Sequence, residues 1–196
     1  MSRRPTTVPW PDSERLDLFV ERTVELLNEP AVHDFNLDIG FTLNADEGQP
    51  VTSEFRQPPE PLLRSFLMTF RQFVSSGDPL HVNGVHNLLF QHVSGDTMKA
   101  KLTARRDTWQ RSRQVGAMRL ELNGQTLEPA DALDLWINGH YFHNDYRKAA
   151  ELRRLAGLDG ALVRHAALDL VVEGTRYVQF LGWAIQSSRS EGLLPI

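Results

Sequence analysis

Residues 35–43, FNLDIGFTL, place Phe35, Leu37, Ile39, Phe41 and Leu43 at every second position, with Asn36, Asp38, Gly40 and Thr42 between them. Side chains along a strand alternate between its two faces, so this pattern predicts a half-buried β-strand. The turn-like residues 45–50 are followed by 51–56, which read as a short partner strand. Residues 115–122 read as a further strand, and Asn123-Gly124 is a hairpin signal leading into 125–128. A lone hairpin is marginal in water, so the strands at 35–43 and 115–122 are expected to pair. The expected fold class is α+β, a helix-rich single domain with a small antiparallel sheet.

Around these strands the apolar period lengthens. Leu16, Phe19, Val20, Val24 and Leu27 repeat at helical spacing over 13–28, ahead of Pro30. Pro58, Pro59 and Pro61 set up a helix start, and Leu62, Leu63, Phe66, Leu67, Phe70, Phe73 and Val74 fill one face of that helix. A shorter helix is expected over 84–93. Asp96 is placed to cap another that carries Met98, Leu102 and Trp109 on one side. Pro129, Asp145, Asp159 and Thr175 open the remaining predicted helices, the last burying Tyr177, Val178, Leu181, Ala184 and Ile185. Residues 1–12, with three prolines, read as an extended arm, and 13–196 read as one globular domain.

Composition narrows the chemistry. The 196 residues carry a formal charge of −4 and no cysteine, which excludes disulfides, thiolate metal sites and thiol nucleophiles. No run of about eighteen apolar residues occurs, so no membrane span is expected, and the two arginines near the start lack the apolar block of a secretory leader. These features together suggest a soluble cytoplasmic protein. Neither a dinucleotide-binding glycine fingerprint nor a phosphate-binding Gly-Lys loop is present. A nucleophile elbow and an H-E-x-x-H helix are absent as well.

Chemistry-bearing residues concentrate in 131–146, DALDLWINGHYFHNDY. His140, His143 and Asp145 have donor types suited to a divalent transition metal with an open position for water. With Arg147 or Lys148 steadying a phosphate, that set would make a metal-assisted phosphoester hydrolase. Trp136, Tyr141, Phe142 and Tyr146 are candidates for a ligand or interaction surface. Leu133, Trp136 and Ile137, however, define an apolar helix face. A helix continuous through Asn138-Gly139 would put His140 on that face, as a core histidine. Only a break there would gather the three groups. A second histidine set, His81, His86 and His92, has spacings that do not share one helix face.

The other asymmetry is electrostatic. Residues 99–119 hold seven positive charges and one negative, whereas residues 1–60 carry a net −7. Lys99, Lys101, Arg105, Arg106, Arg111 and Arg113 could contact phosphates or nucleic acid, with Trp109 available to stack on a base. They could equally pair with the acidic first third of the chain, within one molecule or across a homodimer. The leading reading is a non-enzymatic binding or interaction protein with a protein partner or itself. The hydrolase and the nucleic-acid-binding protein are the alternatives.

Overall fold

The computed structural model describes residues 11–34, 60–74, 78–115, 120–122, 125–127 and 171–196. In chain order the elements are α1 (Asp12–Leu27), the single turn α2 (Ala31–Asp34), α3 (Glu60–Val74), α4 (Val82–His92) and α5 (Asp96–Val115). The hairpin β1 (Leu120–Leu122) and β2 (Gln125–Leu127) follows, and helix α6 spans 171–190.

Helix α6 organises the rest. From 171 to 185 only Glu173 and Trp183 are more than marginally exposed. A helix apolar on one stripe lies on a core, whereas one covered on every side sits inside it. Four helices supply that cover. Thr23 of α1 packs against Gly182, Phe70 of α3 and Trp109 of α5 against Gly174, and His86 of α4 bonds Tyr177. Close approach at Gly174 requires the missing side chain: a methyl group there would stand 2.6 Å from Phe70 Cζ and 3.2 Å from Trp109 Cη2. Polar atoms on the inner helices are satisfied locally. The Thr23 hydroxyl donates to the Phe19 carbonyl at 2.8 Å and the Thr175 hydroxyl to the Val171 carbonyl at 2.8 Å, so both threonines can be buried at little cost.

The outer helices are joined by aromatic and polar contacts. Phe19 of α1 meets Phe73 of α3 edge to face, with centroids 5.3 Å apart. Glu29, just past α1, accepts from Ser65 at 3.1 Å and Thr69 at 3.0 Å. Arg15 donates to the Pro79 carbonyl and Arg189 to Asp17 at 2.6 Å, tying α1 to the start of α4 and the end of α6. Helix α6 stops at Gly192, whose φ of +69° suits glycine. The Leu193 N–H then reaches back to the Ser188 carbonyl at 2.7 Å and the Gly192 N–H to Arg189 at 3.1 Å. This pair of bonds is a Schellman closure. It turns the tail onto the α4–α5 connection, where the Ser94 N–H donates to the Leu193 carbonyl at 3.0 Å.

The α+β expectation is overturned. Among the described residues every core side chain comes from a helix or from a connection between helices. The only extended backbone among them is the hairpin, in which Leu120 pairs with Leu127, Glu121 with Thr126 and Leu122 with Gln125. Two three-residue strands are too short to bury one side of a core, and the described fold is helical. A strand beginning at 115 fails because α5 runs through to Val115. Its Lys-, Arg-, Ala- and Gln-rich sequence favours helix throughout. The proposed strands at 35–43 and 51–56 lie outside the described residues.

Two further expectations shift. The buried face of α1 is Leu16, Phe19, Thr23 and Leu26, rotated from the purely apolar stripe, and Val24 is 50% exposed. Helix α4 begins at Val82 rather than at 84, because His81 caps it by accepting from the Asn83 N–H at 3.3 Å.

Gly174→Ala separates a clasped α6 from a loosely covered one. Overpacking typically costs about 1–3 kcal/mol, offset in part by alanine's helix preference of about 1 kcal/mol. The expected result in urea denaturation is a net loss of about 1–2 kcal/mol. A stability equal to or above that of the parent would show that Phe70 and Trp109 do not hold α6 at this point.

Candidate functional site

Sequence reasoning offered two regions with chemistry. His140, His143 and Asp145, with Trp136, Tyr141, Phe142 and Tyr146, lie outside the described residues. The basic segment is well described, as α5.

Helix α5 buries Met98, Leu102 and Trp109 against the bundle. Positions flanking that stripe lie along the seams with α4 and α6, and there most of the cations fall. Lys99 places Nζ 5.5 Å from the ring centre of Phe90 on α4. On the other seam Lys101 Nζ stands 5.3 Å from Trp183 and Arg105 Cζ 5.8 Å from Phe180, both on α6. A cation over a ring face is attracted by the ring quadrupole, worth roughly 0.5–1 kcal/mol at exposed sites. The aliphatic stems meanwhile cover apolar surface. Phe180 and Trp183 are themselves paired, with centroids 5.7 Å apart.

The remaining cations behave differently. Arg106 lies 3.9 Å from its neighbour Asp107, and Arg111 contacts the Thr108 hydroxyl at 3.4 Å. Arg113 belongs to the last turn of α5. Among the described residues no carboxylate pairs with Lys99, Lys101 or Arg111, and the carboxylates of α1 are engaged elsewhere. Asp12 meets His92 at 3.3 Å, Asp17 meets Arg189 and Glu25 meets Arg22. The acidic first helix therefore does not neutralise the basic one within the molecule.

Two expectations about this region change. Trp109 is 4% exposed and stacks on Tyr177 with centroids 6.0 Å apart, so it offers no face to a base. The histidines of the second set do not converge: His81 caps α4, His92 faces α1 and His86 is buried against α6. Among the described residues no group of three or more metal-ligating side chains occurs.

His86 with Tyr177 is the polar centre of the core, a pairing that spacing alone did not reveal. The Tyr177 hydroxyl lies 2.8 Å from His86 Nδ1, while Nε2 is buried with no hydrogen-bond partner. Phe90 stacks on the imidazole at 6.0 Å. Burial pushes the imidazole down to about 4, and the Arg106 guanidinium nearby adds to the effect. Burial likewise raises the Tyr177 phenol well above its usual range. Both groups are neutral at physiological pH, as a protein interior requires.

No family model, no curated protein and no solved structure matches this chain. Among the described residues no helix is long and apolar enough to cross a membrane.

The depressed His86 gives a stability signature. The unfolded chain takes up the proton near pH 6.5 and the folded protein only near 4. Between these values the unfolded state binds more protons, so stability is full above about pH 6.5 and declines as pH falls toward 4. The slope approaches about 1.4 kcal/mol per pH unit within that window. Urea melts across this range are expected to show the slope in the parent and a shallower one in His86→Leu. Equal slopes would remove His86 as its source.

Proposed function

We propose that the protein is a non-enzymatic binding protein that receives an acidic protein surface along α5, at its seam with α6. The observation that carries this reading is the set of α5 cations held over aromatic rings with no neutralising carboxylate among the described residues. A long cationic side chain loses conformational freedom on binding, a cost of about 0.5–1.5 kcal/mol each. Lys101 and Arg105, already laid on Trp183 and Phe180, have surrendered part of that freedom before a partner arrives. Aromatic residues and arginine are also the types enriched at protein interfaces.

Two facts favour protein over nucleic acid as the partner. Trp109 is buried, and Phe180 is only 2% exposed beneath Arg105, so neither presents a free ring for base stacking. The histidines His81, His86 and His92 each carry a structural contact, which supports a binding role for the bundle over a catalytic one.

A fluorescent acidic probe, poly-L-glutamate of about twenty residues, tests the reading by anisotropy. Binding is expected to weaken about ten-fold or more between about 0.05 M and about 0.3 M salt, because these charges are exposed and screened. Lys99→Glu/Lys101→Glu is expected to abolish it with little loss of stability. Binding that ignores both salt and the substitutions would contradict the proposal. A clear preference for single-stranded DNA of equal charge would transfer it to nucleic acid.

A further inference from the structure

We propose that the acidic surface received by α5 is α1 of a second copy of this chain, so that two molecules associate reciprocally, α1 on α5 and α5 on α1. This inference rests on the binding role proposed above and names its partner.

Charge complementarity within one chain carries the argument. Helix α1 has five carboxylates against two arginines, and α5 has six cations against two carboxylates. Intramolecular pairing would be the simplest use of this match, but the two helices do not take it. The α1 carboxylates that are paired face His92, Arg189 and Arg22. Glu14 and Glu21 are exposed, and among the described residues neither has a partner. They lie seven residues apart, two helical turns, and so form one stripe with Glu25 on the solvent side of α1. Lys101 and Arg111 are exposed on α5 with no carboxylate partner among the described residues.

The spans agree as well. Glu14 to Glu25 extends roughly 17 Å and Lys101 to Arg111 roughly 15 Å at 1.5 Å per residue. Val24, three residues from Glu21, is 50% exposed and would add apolar contact beside the carboxylates. A two-fold axis repeats any such contact, because residue i meeting j requires j to meet i. One stripe against one ridge therefore counts twice. It also closes the assembly at two copies.

Sedimentation equilibrium of the full chain tests this by charge reversal. The parent is expected to form a dimer at about 0.05 M salt that dissociates as salt is raised. Glu14→Lys/Glu21→Lys alters only exposed residues of α1, and Lys101→Glu alters α5. Each variant alone is expected to dimerise about ten-fold or more weakly, given two symmetric contacts turned from attraction to repulsion. Mixing the two variants is expected to restore a mixed dimer, since each reversed helix then meets its reversed partner. A parent that stays monomeric at low salt would overturn the proposal, and so would a dimer unaffected by the reversals or a mixture that fails to rescue.

The acidic-peptide assay separates this failure from that of the broader reading. Glu14→Lys/Glu21→Lys protein is expected to bind poly-L-glutamate at least as well as the parent, because its α5 is uncovered. A monomeric parent that still binds the probe through Lys101 keeps the binding role and loses only the second copy as partner. Loss of both removes both.

Discussion

Covering helix α6 on all sides is the constraint on which the rest of this structure depends. Its residues 171–185 are almost entirely buried, and an apolar helix of that length cannot stand at a surface. Four helices must therefore each give it a face, and each does so at a different point. The α1 contact is at Gly182, the α3 and α5 contacts meet at Gly174, and the α4 contact is the His86–Tyr177 pair. The small residues let two neighbours approach closely, where packing is most sensitive to one added methyl group.

A buried helix also dictates what happens to polar groups. Thr23 and Thr175 return their hydroxyl protons to the preceding turn, and the imidazole and phenol share a single hydrogen bond. The charges are displaced outward. On the α5–α6 seam the rings of Phe180 and Trp183 come near the surface, and Lys101 and Arg105 lie across them. The same cations that finish the core thus form the outer ridge to which a binding role is assigned. Core completion and surface charge are one feature, because a long basic side chain has an apolar stem and a charged head.

Much of the helical content was legible because it rests on local rules. Periodicity in α3 and the capping position of Asp96 lead to helices at Glu60–Val74 and Asp96–Val115. The fold class was not legible, because alternation in short segments suggested a sheet while the centre of the fold is a helix. Helix α6 illustrates the reason. Reading Tyr177, Val178, Leu181, Ala184 and Ile185 as one buried stripe treats Gln179 and Arg176 as its solvent face, yet both are 5% exposed. Thr23 shows the same limit on α1, since its inward position depends on Gly182, 159 positions away. At the candidate site the charge run was visible in sequence. The rings beneath it were not, for Lys101 and Trp183 meet only through the tertiary fold.

Native-state hydrogen exchange along α6 tests the central position of this helix most directly. A core helix covered on every face opens only with the whole domain, so its amides report the global free energy of unfolding. Amides 177–185 are expected to exchange as the slowest set in the described bundle. Their free energies of exchange are expected to match that from urea denaturation and to fall with urea at the global slope. Exchange of these amides by a local opening, faster than that of α1 or α3 and insensitive to urea, would contradict a central α6.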